Sequence, residues 1–184
     1  MAKVTHLKTN EAFQLKITLQ DVTPQVWRRV IVNSNIKLSD FHKVIQTTMG
    51  WTNSHLHQFI KGDDFYAMPD DESLSESIDY RKIRLKDILS AEKESIIYEY
   101  DFGDGWEHEI VLEKILHDHP LSHPVCTAGK RNCPPEDCGG PGGFENFLAI
   151  LADPRHEEYE DIIDWIGGEY DPHNFPIEEI NEKL

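Results

Sequence analysis

Three stretches of the sequence gather side chains that could do chemistry. The first is the run 117–143, which holds His117, His119, His123, Cys126, Cys133 and Cys138. Zinc takes four nitrogen or sulfur donors in a tetrahedron, which makes His123, Cys126, Cys133 and Cys138 the candidate ligands and zinc the candidate cofactor. The cysteines are separated by six and four residues, not paired as CxxC. The alternative is a proline-stiffened turn whose thiols pack as small hydrophobes. A redox pair is disfavoured by the same spacing and by the adjacent Glu136 and Asp137, whose charge would raise a thiol pKa. Those two carboxylates are themselves candidate general bases.

The second stretch is DPRHEEYE, residues 153–160. His156 and Glu160 stand four apart, as the two histidines of HExxH do, with Glu157 beside them. On a helix that spacing could hold a cation. The competing reading is a run of acids that favours a helix N-terminus. The third set is His55, His57 and His108 with Asp101 and Asp104. If the strand faces that carry these imidazoles meet, three nitrogens and two carboxylates would suit metal-assisted hydrolysis. Otherwise each is a hydrogen-bonded core histidine, and Asp104 between two glycines is a turn residue.

Elements must position these groups. FQLKITL alternates, with Phe13, Leu15, Ile17 and Leu19 on one face, and reads as a half-buried strand. QVWRRVIV is a second strand, with Val26, Val30 and Val32 flanking Arg28 on one face. LSDFHKVIQTTMGW reads as a helix over 39–49, with Ser39 as N-cap and Gly50 past its end. Two strands joined at Gly62-Asp63 follow, then a solvated acidic loop over 69–80 and a short helical turn at LKDIL. SIIYEYDFGDGWEHEIVLEKI is a hairpin, with Ile96, Tyr98, Tyr100 and Phe102 on one face. Residues 117–143 carry no period and read as a loop rich in Pro, Gly and Cys. Residues 144–184 read as helical, with Phe144, Phe147, Leu148 and Leu151 inward. Asp153-Pro154 starts a second helix and Pro176 a third.

Strands first and helices last argue for an α+β fold. The expected sheet is antiparallel, built from the N-terminal two thirds with one inserted helix. The helices of the C-terminal third pack on one face or end, and residues 1–184 form one domain. The 184 residues carry 34 acidic side chains against 18 basic, a formal charge of −16. Such a surface repels phosphate, so duplex nucleic acid is not an expected partner, whereas a basic protein or a cation is. No apolar run is long enough for a membrane span. MAKVTHLKTN lacks the apolar core of a secretion signal, so a cytoplasmic location is expected.

The runs TPQVWRRV, GWTNSHLHQF, YEYDFGDGWEHEI, CPPEDCGGPGGFENFL, DPRHEEYED and YDPHNF occur in this order. Together they resemble the Ri-plasmid ORF-3-like family, some of whose members are labelled TnpR-like passengers of insertion elements. The resemblance covers nearly the whole chain. It implies an α+β domain encoded near mobile elements, and it implies no activity. The TnpR label suggests a resolvase, but no basic DNA-binding tail and no arginine-surrounded serine support one.

Two functions are open on these grounds. The first is a non-catalytic, acidic, cytoplasmic binding domain with a protein partner. The second is a metal-dependent hydrolase or zinc-binding protein, with ligands from the histidines and cysteines above and Glu136, Asp137 or Glu157 as base.

Overall fold

The structure, a computed structural model, describes residues 11–69 and 77–184. Alternation builds its sheet. In β1 (Ala12–Leu19), Phe13, Leu15, Ile17 and Leu19 are buried, while Gln14 and Lys16 are only half so. β2 (Trp27–Asn33) buries Arg28, Val30 and Val32. β3 (His57–Lys61) and β4 (Asp64–Ala67) pair across Gly62-Asp63, and β5 (Ile78–Asp79) runs parallel to β4. β6 (Ser95–Tyr100) and β7 (Trp106–Leu116) form the expected hairpin, and β8 (Val125–Lys130) closes the far edge. The order across the sheet is β5-β4-β3-β6-β7-β1-β2-β8, antiparallel except at β4–β5.

Helices cover the buried face. α1 (Leu38–Met49), α3 (Gly140–Leu151) and α5 (Ile177–Lys183) bring Phe41, Ile45, Phe144, Phe147 and Ile180 into one cluster with Leu15, Ile17, Ile110 and Leu112. Each such side chain contributes roughly 1.5–3 kcal/mol on burial. α2 (Leu85–Ile88) is a single turn, and α4 (Tyr159–Ile166) lies against α3. The fold is thus α+β, with strands in the N-terminal two thirds and helices mostly later.

One charge lies inside this core. Arg28 is 1% exposed. Its Nε donates to Thr48 O at 2.7 Å, and Nη1 donates to Trp27 O and Lys130 O at 2.9 and 3.1 Å. Thr48 O lies in the last turn of α1, where carbonyls lack helical partners and the dipole is negative. The guanidinium also covers the Phe175 ring at 4.8 Å.

Several sequence expectations need correction. The N-cap of α1 is Lys37, not Ser39, and no side chain caps it. Leu38 N instead donates to Ile83 O, so a neighbouring segment satisfies the donor. Residues 117–143 are not all loop: Val125–Lys130 pairs with β2 around a bulge. That bulge and the absence of apolar alternation hide the strand in the sequence. Phe102 leaves the hairpin face because Asp101 takes φ 55°, which breaks the alternation and leaves the ring 49% exposed. α3 begins at Gly140 rather than Phe144, and it buries Ile150 more completely than Leu148 or Leu151. Asp153-Pro154 makes a turn, closed by His156 N on Asp153 O, and α4 starts only at Tyr159. The expected acidic loop over 69–80 falls partly outside the described residues, and its end forms β5.

Candidate metal centre

Three segments far apart in sequence meet at one end of the sheet. The turn after α1 carries Thr52–His55, the β6–β7 connection carries Asp101–Gly105, and the segment before α3 carries Glu136–Gly139. Each is held by its own backbone chemistry. Asp101 sits at positive φ, accessible to Asp at little cost, and its Oδ1 accepts from Gly103 N and Asp104 N at 3.0 and 3.3 Å. Asp104 Oδ2 accepts from Gly139 N at 3.1 Å, tying the second segment to the third. At Gly140 a Cβ would strike Asp104 O, and at Gly143 it would strike Cys138 O. These two glycines therefore permit backbone approaches that no other residue allows.

His55 stands among the carboxylates. Its Nδ1 lies 3.6 Å from Asp101 Oδ2, and its Nε2 lies 3.2 Å from Asp137 Oδ1 and 3.7 Å from Glu136 Oε2. Nε2 is buried and has no hydrogen-bond partner. Donor atoms of His55, Asp101 and Asp137 all fall within 4.8 Å of one another, the one such group of three among the described residues.

Glu136 is aimed by its neighbours. Oε1 accepts from Thr52 N, Thr52 Oγ1 and Tyr100 Oη at 2.8, 3.1 and 3.0 Å. Tyr100 Oη in turn accepts from Ser54 N at 3.0 Å. Burial, opposed by the Ser54 bond and aided by the Glu136 charge, pushes the Tyr100 phenol well above its ordinary pKa, so it remains a donor. Oε2 also accepts from Tyr100 Oη at 3.2 Å, and it is the oxygen that lies 3.7 Å from His55 Nε2. The carboxylates of Asp101, Glu136 and Asp137 around one imidazole repel one another, and a divalent cation would relieve that repulsion. One nitrogen with several hard oxygens suits Mn²⁺, Fe²⁺ or Zn²⁺ better than a thiolate-seeking metal.

The other sequence-predicted residues lie elsewhere. His57 starts β3 and stacks on His42 at 3.5 Å rather than joining His55. His108 is fully buried on β7, with Nδ1 3.1 Å from Tyr98 O and its ring edge-on to Trp51. The three strand imidazoles thus do not meet: His55 precedes the strand, and His57 and His108 each pack against Tyr98 rather than against each other. Asp104 supports the loops but is not in the donor group.

The expected zinc quartet is not assembled. His123 is exposed and bonds Ser122 Oγ, whereas Cys126 and Cys133 point into the core as free thiols. Burial raises the thiol pKa of both, against the pull of Arg28. Cys138 is pushed up to about 12 by burial and by the Asp104 charge. Burial thus favours the protonated form of all three thiols, which disfavours nucleophilic attack. His156 and Glu157 are exposed in the turn before α4, so the spacing of His156 and Glu160 does not place them on one helix face.

Sequence reading missed Tyr100, Thr52, and the pair His42 and Gln46. Both members of that pair bond Tyr98 Oη, at 2.8 and 3.0 Å. Two polar residues four apart beside an apolar helical stripe were the available signal.

The family model described as "Plasmid pRiA4b ORF-3-like protein" matches residues 11–179. The uncharacterized protein y4hQ of Sinorhizobium fredii (strain NBRC 101917 / NGR234) is 41% identical over 176 residues, covering 93% of this chain and 89% of that protein. The crystal structure of a protein of unknown function, MM3350 from Methanosarcina mazei Go1, superposes with a TM-score of 0.84 at 38% identity. That match covers 92% of this chain and 97% of the other.

Proposed function

This chain belongs to the plasmid pRiA4b ORF-3-like family, and from that premise we propose that it is a non-catalytic binding protein for a divalent cation. Its ligands are His55, Asp101, Asp137 and Glu136 Oε2. The observation that carries the reading is the buried, unpartnered His55 Nε2 with carboxylate oxygens 3.2 and 3.7 Å away. The acidic surface supports it, because net negative charge raises the local concentration of cations. The cysteine-rich run contributes position, through Glu136 and Asp137, rather than thiolate ligands.

The test is calorimetric titration of EDTA-washed, untagged protein with MnCl₂ and with ZnCl₂. One site per chain is expected, weakened at least ~10-fold in Asp101→Asn and in Asp137→Asn. Absence of saturable binding, or equal binding by both variants, overturns the proposal.

A hydrolase is the second reading, favoured by Asp137, whose side chain is 71% exposed. Catalytic metal sites keep a coordination position open to water or substrate. Mn²⁺-dependent turnover of an ester or phosphoester panel would support this reading, and its loss in Glu136→Gln would implicate that carboxylate as base.

A further inference from the structure

His55 also lines a cleft of about 750 Å³ beside α1 and β3. That volume lies within the usual range of small-molecule sites. The described part of its lining is opposite in charge to the molecule. Among the described residues the cleft presents Lys37, Lys43 and Arg81 against one carboxylate, Asp40, whereas acids outnumber bases 34 to 18 in the chain. Local pairing uses these cations only in part. Lys43 Nζ is 2.9 Å from Asp40, and Arg81 meets Asp79 through Nε and Nη2 at 2.9 and 3.0 Å. Among the described residues, Lys37 makes no ion pair and Arg81 Nη1 no hydrogen bond.

The same cleft is apolar elsewhere. Leu56, Met68 and Phe102 line it and are 68%, 55% and 49% exposed. Large apolar groups gathered in one concavity mark a binding site more often than single exposed ones do. One wall is rigid. His42 and His57 stack with their planes within 4°. Their outer nitrogens bond Asn53 Oδ1 at 2.7 Å and Tyr80 Oη at 3.2 Å.

We infer that the cleft binds a small organic anion with a flat apolar body. Its phosphate, carboxylate or sulfonate meets Lys37, Lys43 and Arg81, and its ring lies against Leu56, Met68 and Phe102. The assignment goes beyond the metal centre and does not depend on it.

The experiment follows the fluorescence of 8-anilinonaphthalene-1-sulfonate on EDTA-washed protein at low salt. One saturable site per chain is expected, displaced by adenosine 5′-monophosphate and not by adenosine. Lys43→Glu and Arg81→Glu should each weaken binding ~10-fold, about the worth of one charge-assisted contact, and Phe102→Ala should weaken it as well. Lys86→Glu, an exposed charge reversal outside the cleft, should leave binding unchanged. Non-saturable fluorescence, equal displacement by adenosine, or equal effects of Lys43→Glu and Lys86→Glu would overturn the assignment. Saturable binding that appears only with added Mn²⁺ would also overturn it, because the anion would then be a metal ligand rather than an occupant of the cleft.

Discussion

Arg28 and His55 head two polar regions that handle charge in opposite ways. Arg28 brings a positive charge into the core and meets carbonyl dipoles on Thr48, Trp27 and Lys130. Burial raises the thiol pKa values of Cys126 and Cys133 against the pull of the same guanidinium. That region is closed and nearly complete. Around His55 the structure gathers negative charge from Asp101, Glu136 and Asp137 and leaves Nε2 without a partner. His108 Nε2 is also unpartnered, but its surroundings are the aromatic rings of Tyr98 and Trp51. Burial alone therefore does not mark a site. What marks it is an open donor surrounded by charges that protein groups do not balance.

The largest expected effect falls in the closed region. Arg28→Met removes the donor to the buried Thr48 O and to the part-buried carbonyls of Trp27 and Lys130, and should cost about 3 kcal/mol in urea unfolding. Asp137→Asn should shift stability by less than about 0.5 kcal/mol. Similar losses in both variants would erase the distinction.

Cation addition should act only on the open region. MnCl₂ at 100 times its dissociation constant should add about 2.7 kcal/mol to unfolding stability. Asp101→Asn and Asp137→Asn should lose this increment, and Arg28→Met, if folded, should keep it. An increment lost in Arg28→Met but retained in Asp137→Asn would place the cation in the wrong region.

pH separates them next. Burial holds the His108 pKa at about 4, below its unfolded value. Its contribution is complete above roughly pH 6.5 and is lost as pH falls toward 4, because only the unfolded chain takes up the proton. The slope is about 1.4 kcal/mol per pH unit for each such imidazole. His57 adds to it, and His108→Leu should reduce it by one imidazole's share in urea titrations at pH 7, 6 and 5.

The smallest effect concerns the thiols. With the pKa of Cys138 at about 12 and those of Cys126 and Cys133 raised, none should react readily with Ellman's reagent at pH 8 in the native state. All three should react in guanidinium. Stability from the buried thiols should decline as pH rises above about 8.5, where the unfolded thiols ionise first. Rapid native reaction of Cys133 would show that the Arg28 region is open after all.

Sequence patterns made most of the sheet and α1 legible. Period-two alternation in FQLKITL and in the hairpin reports which face is buried, and the stripe Phe41, Val44, Ile45 reports one helix. β8 was not legible, because VCTAGK lacks alternation and owes its strand state to pairing with β2. The start of α4 was not legible either, because Asp153-Pro154 favours a turn and a helix start equally. His55, Asp101, Glu136 and Asp137 could each be singled out by residue type, and so could the thiols and His156. Nothing in the spacing said which of them meet.

The sequence by itself determined the α+β class, the inward faces of the main strands, the net charge and the inventory of reactive groups. These follow from local periodicity and composition, which need no knowledge of distant partners. The tertiary structure alone decided that residues 55, 101 and 137 gather, with Glu136 beside His55, while Cys126 and Cys133 turn inward. The physical reason is that convergence depends on sheet order and on close backbone approaches, such as Gly140 against Asp104. Those arise between segments whose separation along the chain carries no record of their distance in space.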